Sequence, residues 1–210
     1  MLTTLIAGIV LFVPAGRLDL PYFWGYLIVC SLLTIVVVVS MDPDLARERR
    51  NPGPGGLDPG LRKAAAPLWI GSLILGAADV GRLHWSDTVP ALLRAAGFVV
   101  FAFCMALPVW AMAVNRFFSP VVRIQSERGH HLIRSGPYAL IRHPGYAGMI
   151  FGSLGGALAI GSWMGLAPMA VFAGLILKRV ILEDRFLREN LEGYLQYSRE
   201  VRWRLVPGLW

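Results

Sequence analysis

"RSGPYALIRHPGY", Arg134 to Tyr146, decides how this chain is read. It sets two prolines, two glycines, two tyrosines, a histidine and two arginines directly before a long apolar run. His143 precedes a proline and is biased away from helical geometry, while Pro144 suits the first turn of a helix beginning near Gly145. The stretch is thus a turn that launches a helix. Its first N–H groups lack helical partners and can receive an anion such as a carboxylate. Tyr138, Tyr146 and His143 can pack around a planar ring or form hydrogen bonds. A plain re-entry turn with an aromatic interfacial anchor is the simpler alternative.

The surroundings make the helix a membrane one. The chain has 210 residues, 56% hydrophobic and 16% charged, with mean hydropathy +0.58. Soluble domains are more charged, and several runs approach the ~20 residues that cross a bilayer. Six apolar segments stand out, at about 1–13, 21–41, 65–80, 90–114, 146–160 and 163–182. The first and third are short, so five crossings is an alternative. The last two form a tight helical hairpin. The expected fold is all-α, a polytopic membrane helical bundle. Residues 1–114 supply four membrane helices and the loop 42–64. Residues 115–210 supply the loop 115–145, the hairpin 146–182 and a C-terminal segment, 183–210. Met1 to Val13 lacks a charged leader and a cleavage site, so it reads as a first membrane helix.

Charge sets the orientation. Five basic residues fall in 42–64, five in 115–145 and seven from Lys178 onward; of the twenty, only Arg17, Arg82 and Arg94 lie elsewhere. With six crossings the rich regions share one side, which is cytoplasmic by the positive-inside rule, with both termini inside. The net charge of +7 therefore reflects topology and contact with membrane lipids rather than nucleic acid. Cys30 and Cys104 sit in apolar runs and read as small buried hydrophobes. His130, His131 and His143 match no metal-ligand spacing. Asp42 or Asp44 can cap a short helix in "LARERR", whereas Pro52, Pro54, Pro59 and the glycines through Gly60 speak against regular helix after it. In "GSLGGALAIG", 152–161, small residues permit close helix approach.

A second polar cluster begins at Lys178. Arg179 and Glu183 are four apart and share a helix face. A weak surface ion pair is the simple reading. The functional one has Glu183 holding a cationic or hydrogen-bonding part of a cofactor and Arg179 clamping a substrate carboxylate.

Together these pieces resemble the isoprenylcysteine carboxyl methyltransferase family, as a bacterial-type member. The motifs are Gly136-Pro137-Tyr138, Arg142-His143-Pro144-Gly145-Tyr146-Ala147-Gly148, Glu183-Asp184, Gly193-Tyr194-Leu195-Gln196-Tyr197 and Pro207-Gly208-Leu209-Trp210. Phospholipid methyltransferases share part of the pattern. Many relatives carry Glu-Glu where this chain has Glu183-Asp184. The resemblance implies an integral membrane enzyme of a bacterial inner membrane, with S-adenosyl-L-methionine (SAM) as cofactor, bound at the cytoplasmic face. It implies a lipid-like or prenylated acceptor that enters from the bilayer and is O-methylated on a carboxylate by help of Arg179. Cofactor contacts are then expected from His130, His131, Leu132 and Ile133, largely through backbone, from Gln125, and from Gly136, Tyr138, His143, Pro144, Gly145, Tyr146 and Glu183. The alternatives are N-methylation of a phospholipid or small lipid, and a non-catalytic membrane scaffold that kept the fold. Sterol reductases share a related C-terminal architecture, but the chain is short for one.

Overall fold

A computed structural model describes residues 2–54, 56, 59–86 and 88–210. Met1 and the part of the 42–64 loop at residues 55, 57 and 58 lie outside these described residues. The described residues form helices joined by loops. They are α1 (Leu2–Ala15), α2 (Pro21–Ser40), α3 (Pro43–Arg50), α4 (Pro59–Ala78), α5 (Ala91–Val114), α6 (Pro144–Ile160), α7 (Leu166–Asn190) and α8 (Tyr194–Glu200). A π-helical turn, Asp79–Leu83, extends α4, and short 3-10 turns occupy Ser126–Arg128 and Gly136–Ala139.

Pro21–Ser40, Lys63–Leu83 and Ala91–Val114 are long and apolar enough to cross a membrane; Thr4–Ala15 and Pro144–Ile160 are apolar but shorter. The outward faces of α2 and α5 are greasy: Val39, Leu92 and Phe103 are 81%, 83% and 75% exposed. Such a surface suits hydrocarbon and not water.

Two boundaries differ from the sequence reading. First, α4 begins at Pro59 rather than near 65. A proline in the first turn lacks only an N–H that would have no partner there, and the Lys-Ala-Ala-Ala run behind it favours helix. Second, α7 does not stop near 182 but runs to Asn190. Glu183 and Asp184 are consequently interior helix residues, pointing about 100° apart around one axis.

The glycine stretch of α6 packs chiefly against α5. A Cβ on Gly155 would lie 2.9 Å from the Gly97 carbonyl oxygen and from Phe101 N, and one on Gly152 would lie 2.7 Å from Met105 Sδ. Only hydrogen lets the backbones approach this closely. At the far end of α6, the buried Asp79 carboxylate accepts from Ser162 Oγ (2.5 Å), Trp85 N (2.8 Å), Ser86 N (3.0 Å) and Ser86 Oγ. That network ties α4 to the α6–α7 turn.

At the near end, Asp42 caps α3, accepting from Asp44 N (2.8 Å) and Leu45 N (3.1 Å). Glu48 of α3 is buried against Arg123, which donates to both carboxylate oxygens at 3.0 and 2.7 Å. Such a two-pronged pair fixes α3 against the 115–145 loop.

Candidate active site

The launch of α6 is built as the sequence implies, with an added strap. Gly136 has φ +59°, and a Cβ there would crowd Trp110 and Val114 at 3.3 and 3.2 Å. It opens the turn Gly136–Ala139, which buries Tyr138. The Tyr138 hydroxyl accepts from Asn115 Nδ2 (3.0 Å), and its carbonyl accepts from the Tyr197 hydroxyl (2.6 Å). Pro144 takes the first helical position behind His143.

The free N–H groups expected there are mostly spoken for. The C-terminal tail folds back so that Arg142 N donates to the Trp203 carbonyl and His143 N to the Arg204 carbonyl, both at 2.9 Å. Tyr146 N and Ala147 N turn to the His143 carbonyl, at 3.1 Å each. Pro144 has no N–H, so Gly145 N alone remains without a hydrogen-bond partner among the described residues. The anion seat is thus one amide wide, because the tail takes the amides before the helix and the His143 carbonyl takes those of Tyr146 and Ala147.

Asp184 is the hub behind this turn. It is 1% exposed. Arg142 donates to it at 2.8 and 3.2 Å, Tyr194 at 3.1 Å and Arg204 at 3.1 Å, while His143 Nε2 lies 3.4 Å away and Arg188 forms an ion pair at 3.2 Å. Burial by itself would raise its pKa, but hydrogen bonds from His143 and Arg142 outweigh that and hold the carboxyl well below the usual range. Arg142 further donates to the Val201 and Arg202 carbonyls at 2.7 and 2.8 Å. One ion pair therefore clamps the start of α6, the end of α7 and the tail together.

Glu183 faces the other way. It accepts from the Tyr146 hydroxyl at 2.6 Å, and the same hydroxyl accepts from Arg179 Nε at 2.6 Å. Arg179 is buried, with Nε 3.7 Å from Glu183. The ordered chain Arg179–Tyr146–Glu183 joins one turn of α7 to the start of α6.

Two cavities flank this chain. The first is the more polar of the two, lined among others by Asn115, Phe117, His130, His131, Leu132, Ile133, Tyr138, His143, Gly145, Tyr146, Glu183 and Tyr194. The second, about 190 Å³, lies on the flank between α4, α6 and α7 and is lined by Leu61, Ala65, Met149, Phe172, Ile176, Arg49 and Arg179. Phe118, Ser119 and Tyr146 line both and form the partition. Phe118 lies so close to Gly145 that a Cβ there would come 2.5 Å from its ring.

Of the residues singled out in the sequence, His130 to Ile133, Tyr138, His143, Gly145, Tyr146 and Glu183 meet at the polar cavity, and Arg179 lines its neighbour. Gly136 and Pro144 shape the turn without lining it. Gln125 is fully buried elsewhere, donating to the Phe117 carbonyl at 2.8 Å and accepting from Arg128. The backbone from His131 to Arg134 forms no helix or strand, and its N–H and C=O groups have no hydrogen-bond partners among the described residues. His130 stacks on Phe117 at 4.5 Å, and its Nδ1 accepts from Gln125 N at 3.2 Å. Burial, with neighbouring His131 and Arg123, lowers its pKa to about 4.

Asn115, Phe117, Phe118, Arg142, Asp184, Tyr194 and Tyr197 were not singled out as site residues. Arg142, Asp184 and the two tyrosines stand inside quoted motifs, and the i, i+3 spacing of Tyr194 and Tyr197 was a signal that both face one surface. Nothing in the sequence marked Phe118 as a partition.

Comparison with known proteins gives the arrangement a lineage. A family model described as isoprenylcysteine carboxyl methyltransferase (ICMT) matches residues 95–189. A probable protein-S-isoprenylcysteine O-methyltransferase of Oryza sativa subsp. indica is 33% identical over 92 residues, 43% of this chain and 48% of that protein. The cobalt-zinc-cadmium resistance protein CzcN of Cupriavidus metallidurans is 27% identical over 149 residues, 69% of this chain and 65% of its own. A delta(14)-sterol reductase of Methylotuvimicrobium alcaliphilum is 32% identical over 94 residues, 43% of this chain and 22% of its own. The chain spans about half the length of the plant methyltransferases it matches. The matched stretch, residues 95–189, holds α6, most of α7, Tyr146, Arg179 and Glu183, and over those residues the chain is similar to the isoprenylcysteine carboxyl methyltransferase family.

Proposed function

We propose that the protein is a SAM-dependent methyltransferase of the membrane interface that O-methylates the carboxylate of a lipid-like or prenylated acceptor. The observation that carries this is the shared partition: Tyr146 and Phe118 separate a polar cavity from an apolar flank cavity, and Arg179 reaches Tyr146 from the apolar side.

The polar cavity's donors and acceptors fit the cofactor. Glu183 Oε1 has no protein partner among the described residues and suits an ammonium group. The unpaired backbone of His131 to Arg134 suits the edge of a base or a ribose, and the rings of Phe117, Tyr138 and His130 suit its faces. Gly145 N and neighbouring donors suit one carboxylate. Bound there, SAM supplies a methyl group activated by a sulfonium.

The chain's own tasks are then orientation and exclusion of water. An acceptor carboxylate, with an ordinary pKa near ~4, is ionised at neutral pH and needs no general base. Arg179 holds it by charge-assisted hydrogen bonds. Tyr146 and Phe118 bring it to a junction from which water is kept out, and alignment there lowers the barrier. The basic loops put this end of the bundle on the cytoplasmic side, so a charged cofactor arrives from water and an apolar acceptor from lipid. We assign the protein to a bacterial inner membrane on its resemblance to bacterial-type members of the family.

Labelled methyl transfer into a lipid extract tests this. Base-labile label that disappears in Arg179→Ala is expected. Base-stable label indicates N-methylation, and no label from wild type removes the enzyme reading.

A further inference from the structure

Arg49 lies outside the family-matched stretch, on α3, yet its side chain lines the flank cavity with Arg179. Its register on α3 is fixed by its neighbours. Leu45 is fully buried and Glu48 is locked to Arg123. Arg49, four residues beyond Leu45, shares this inward face and turns toward the 117–120 segment, while Arg47 and Arg50 stay exposed. Its Nη1 donates to the Phe118 carbonyl at 3.3 Å, and its guanidinium sits 5.6 Å from the Phe118 ring centroid.

Among the described residues, the Arg49 charge at this cavity is not balanced by a carboxylate. Arg179 has Glu183 at 3.7 Å, bridged by the Tyr146 hydroxyl. Arg49 has no carboxylate within ion-pairing distance among the described residues, and the charged group that faces it is Arg179. The remaining wall is apolar: Leu61, Ala65, Met149, Phe172 and Ile176. A half-buried cation beside a like charge is costly in such a setting unless an anion comes between them. Burial accordingly pulls the Arg49 pKa down, and Arg179 adds to this.

We propose that Arg49 is a specificity-determining residue of the flank cavity, forming with Arg179 a two-guanidinium receptor that admits amphiphiles with a carboxylate head and rejects those with an ammonium head. This rests on the flank cavity being the acceptor site. Arginine suits the task because its planar fork meets a carboxylate with two parallel hydrogen bonds and keeps its charge when half-buried. The apolar wall takes the start of the tail, while the uncompensated positive charge repels a protonated amine of the same length.

The test uses the full chain in a neutral detergent and a palmitate bearing a photoreactive diazirine. Light-driven labelling is mapped to peptides of α4, α6 and α7, and hexadecanoate or hexadecylamine is added as competitor. SAM binding to the same preparations is measured by calorimetry. We expect saturable labelling that hexadecanoate displaces and hexadecylamine does not. Arg49→Gln should raise the half-saturating concentration about tenfold or more, with SAM affinity kept, and Arg49→Lys should recover part of the loss. Absent labelling at these helices, equal half-saturation in Arg49→Gln and wild type, or equal displacement by the amine overturns the inference. Loss of SAM binding by wild type with selective labelling intact would instead count against the methyltransferase reading.

Discussion

The Tyr146 hydroxyl donates to Glu183 at 2.6 Å while accepting from Arg179 at 2.6 Å, so one phenol joins the groups that face two different cavities. Tyr146→Phe keeps the ring, and with it the partition, but cuts that link. Methyl transfer should fall about 10–100-fold, the range expected for losing hydrogen bonds to charged groups. The melting temperature should shift little. A Tyr146→Phe protein as active as wild type would mean the hydroxyl organises nothing.

Asp184 and Arg142 make the opposite kind of prediction, one of stability. Both side chains are 2% exposed. Asp184→Ala strands Arg142 inside the protein, which typically costs ~3–5 kcal/mol. Thermal unfolding in detergent should show a large fall for Asp184→Ala. An unchanged melting temperature would contradict the hub. The sign with pH follows from the lowered pKa. The ionised, paired carboxylate stabilises the fold above its unfolded pKa of ~3.9, and this is lost as pH falls through the lower folded value. Asp184→Asn should flatten the acid limb of the stability curve.

His130 adds a second pH dependence at a higher range. Its folded pKa of about 4 lies below the ordinary ~6.5. Neutral His130 is therefore favoured by the fold, fully so above ~6.5, and the contribution drains away as pH falls toward the folded value. Protonating Nδ1 also destroys its acceptance from Gln125 N. Stability should fall over that window in wild type and much less in His130→Phe, and cofactor affinity should weaken only as pH falls through about 4, where the folded side chain takes up its proton. Identical pH profiles would show that His130 does not brace the loop.

Close packing of α5 on α6 is tested by volume. Gly155→Val places carbon against the Gly97 carbonyl and Phe101 N, and overpacking of this kind costs ~1–3 kcal/mol. Gly174 of α7 is a built-in control, since a Cβ there meets nothing within 4 Å. Gly174→Ala should leave the melting temperature unchanged or raise it slightly through better helix propensity, and equal effects of the two substitutions would contradict the packing.

Much of this was legible in the sequence because membrane helices are written in long apolar runs and turns in Pro and Gly. Pro137, Pro144 and Gly136 announced the turn before α6, and the four-residue spacing of Arg179 and Glu183 put both on one face. The boundary of α7 was not legible, because charges at a helix end mark the edge of the bilayer and not of the helix. Asp184 was hidden for a related reason: a buried carboxylate is defined by its partners, and those come from the α6 turn and the tail. Arg49 was one of several arginines in a polar loop, and only the burial of Leu45 and the pairing of Glu48 with Arg123 turn it inward. The occupied amides of Arg142 and His143 depend likewise on where the tail returns.

The central claim is that the polar cavity beside Tyr146 and Glu183 is a SAM site. Calorimetric titration of the purified full chain with SAM tests it most directly. The account predicts saturable one-to-one binding that is strongly weakened in Glu183→Ala and in His143→Ala and kept in Arg179→Ala. Absence of binding by wild type, or wild-type affinity in both Glu183→Ala and His143→Ala, would contradict it.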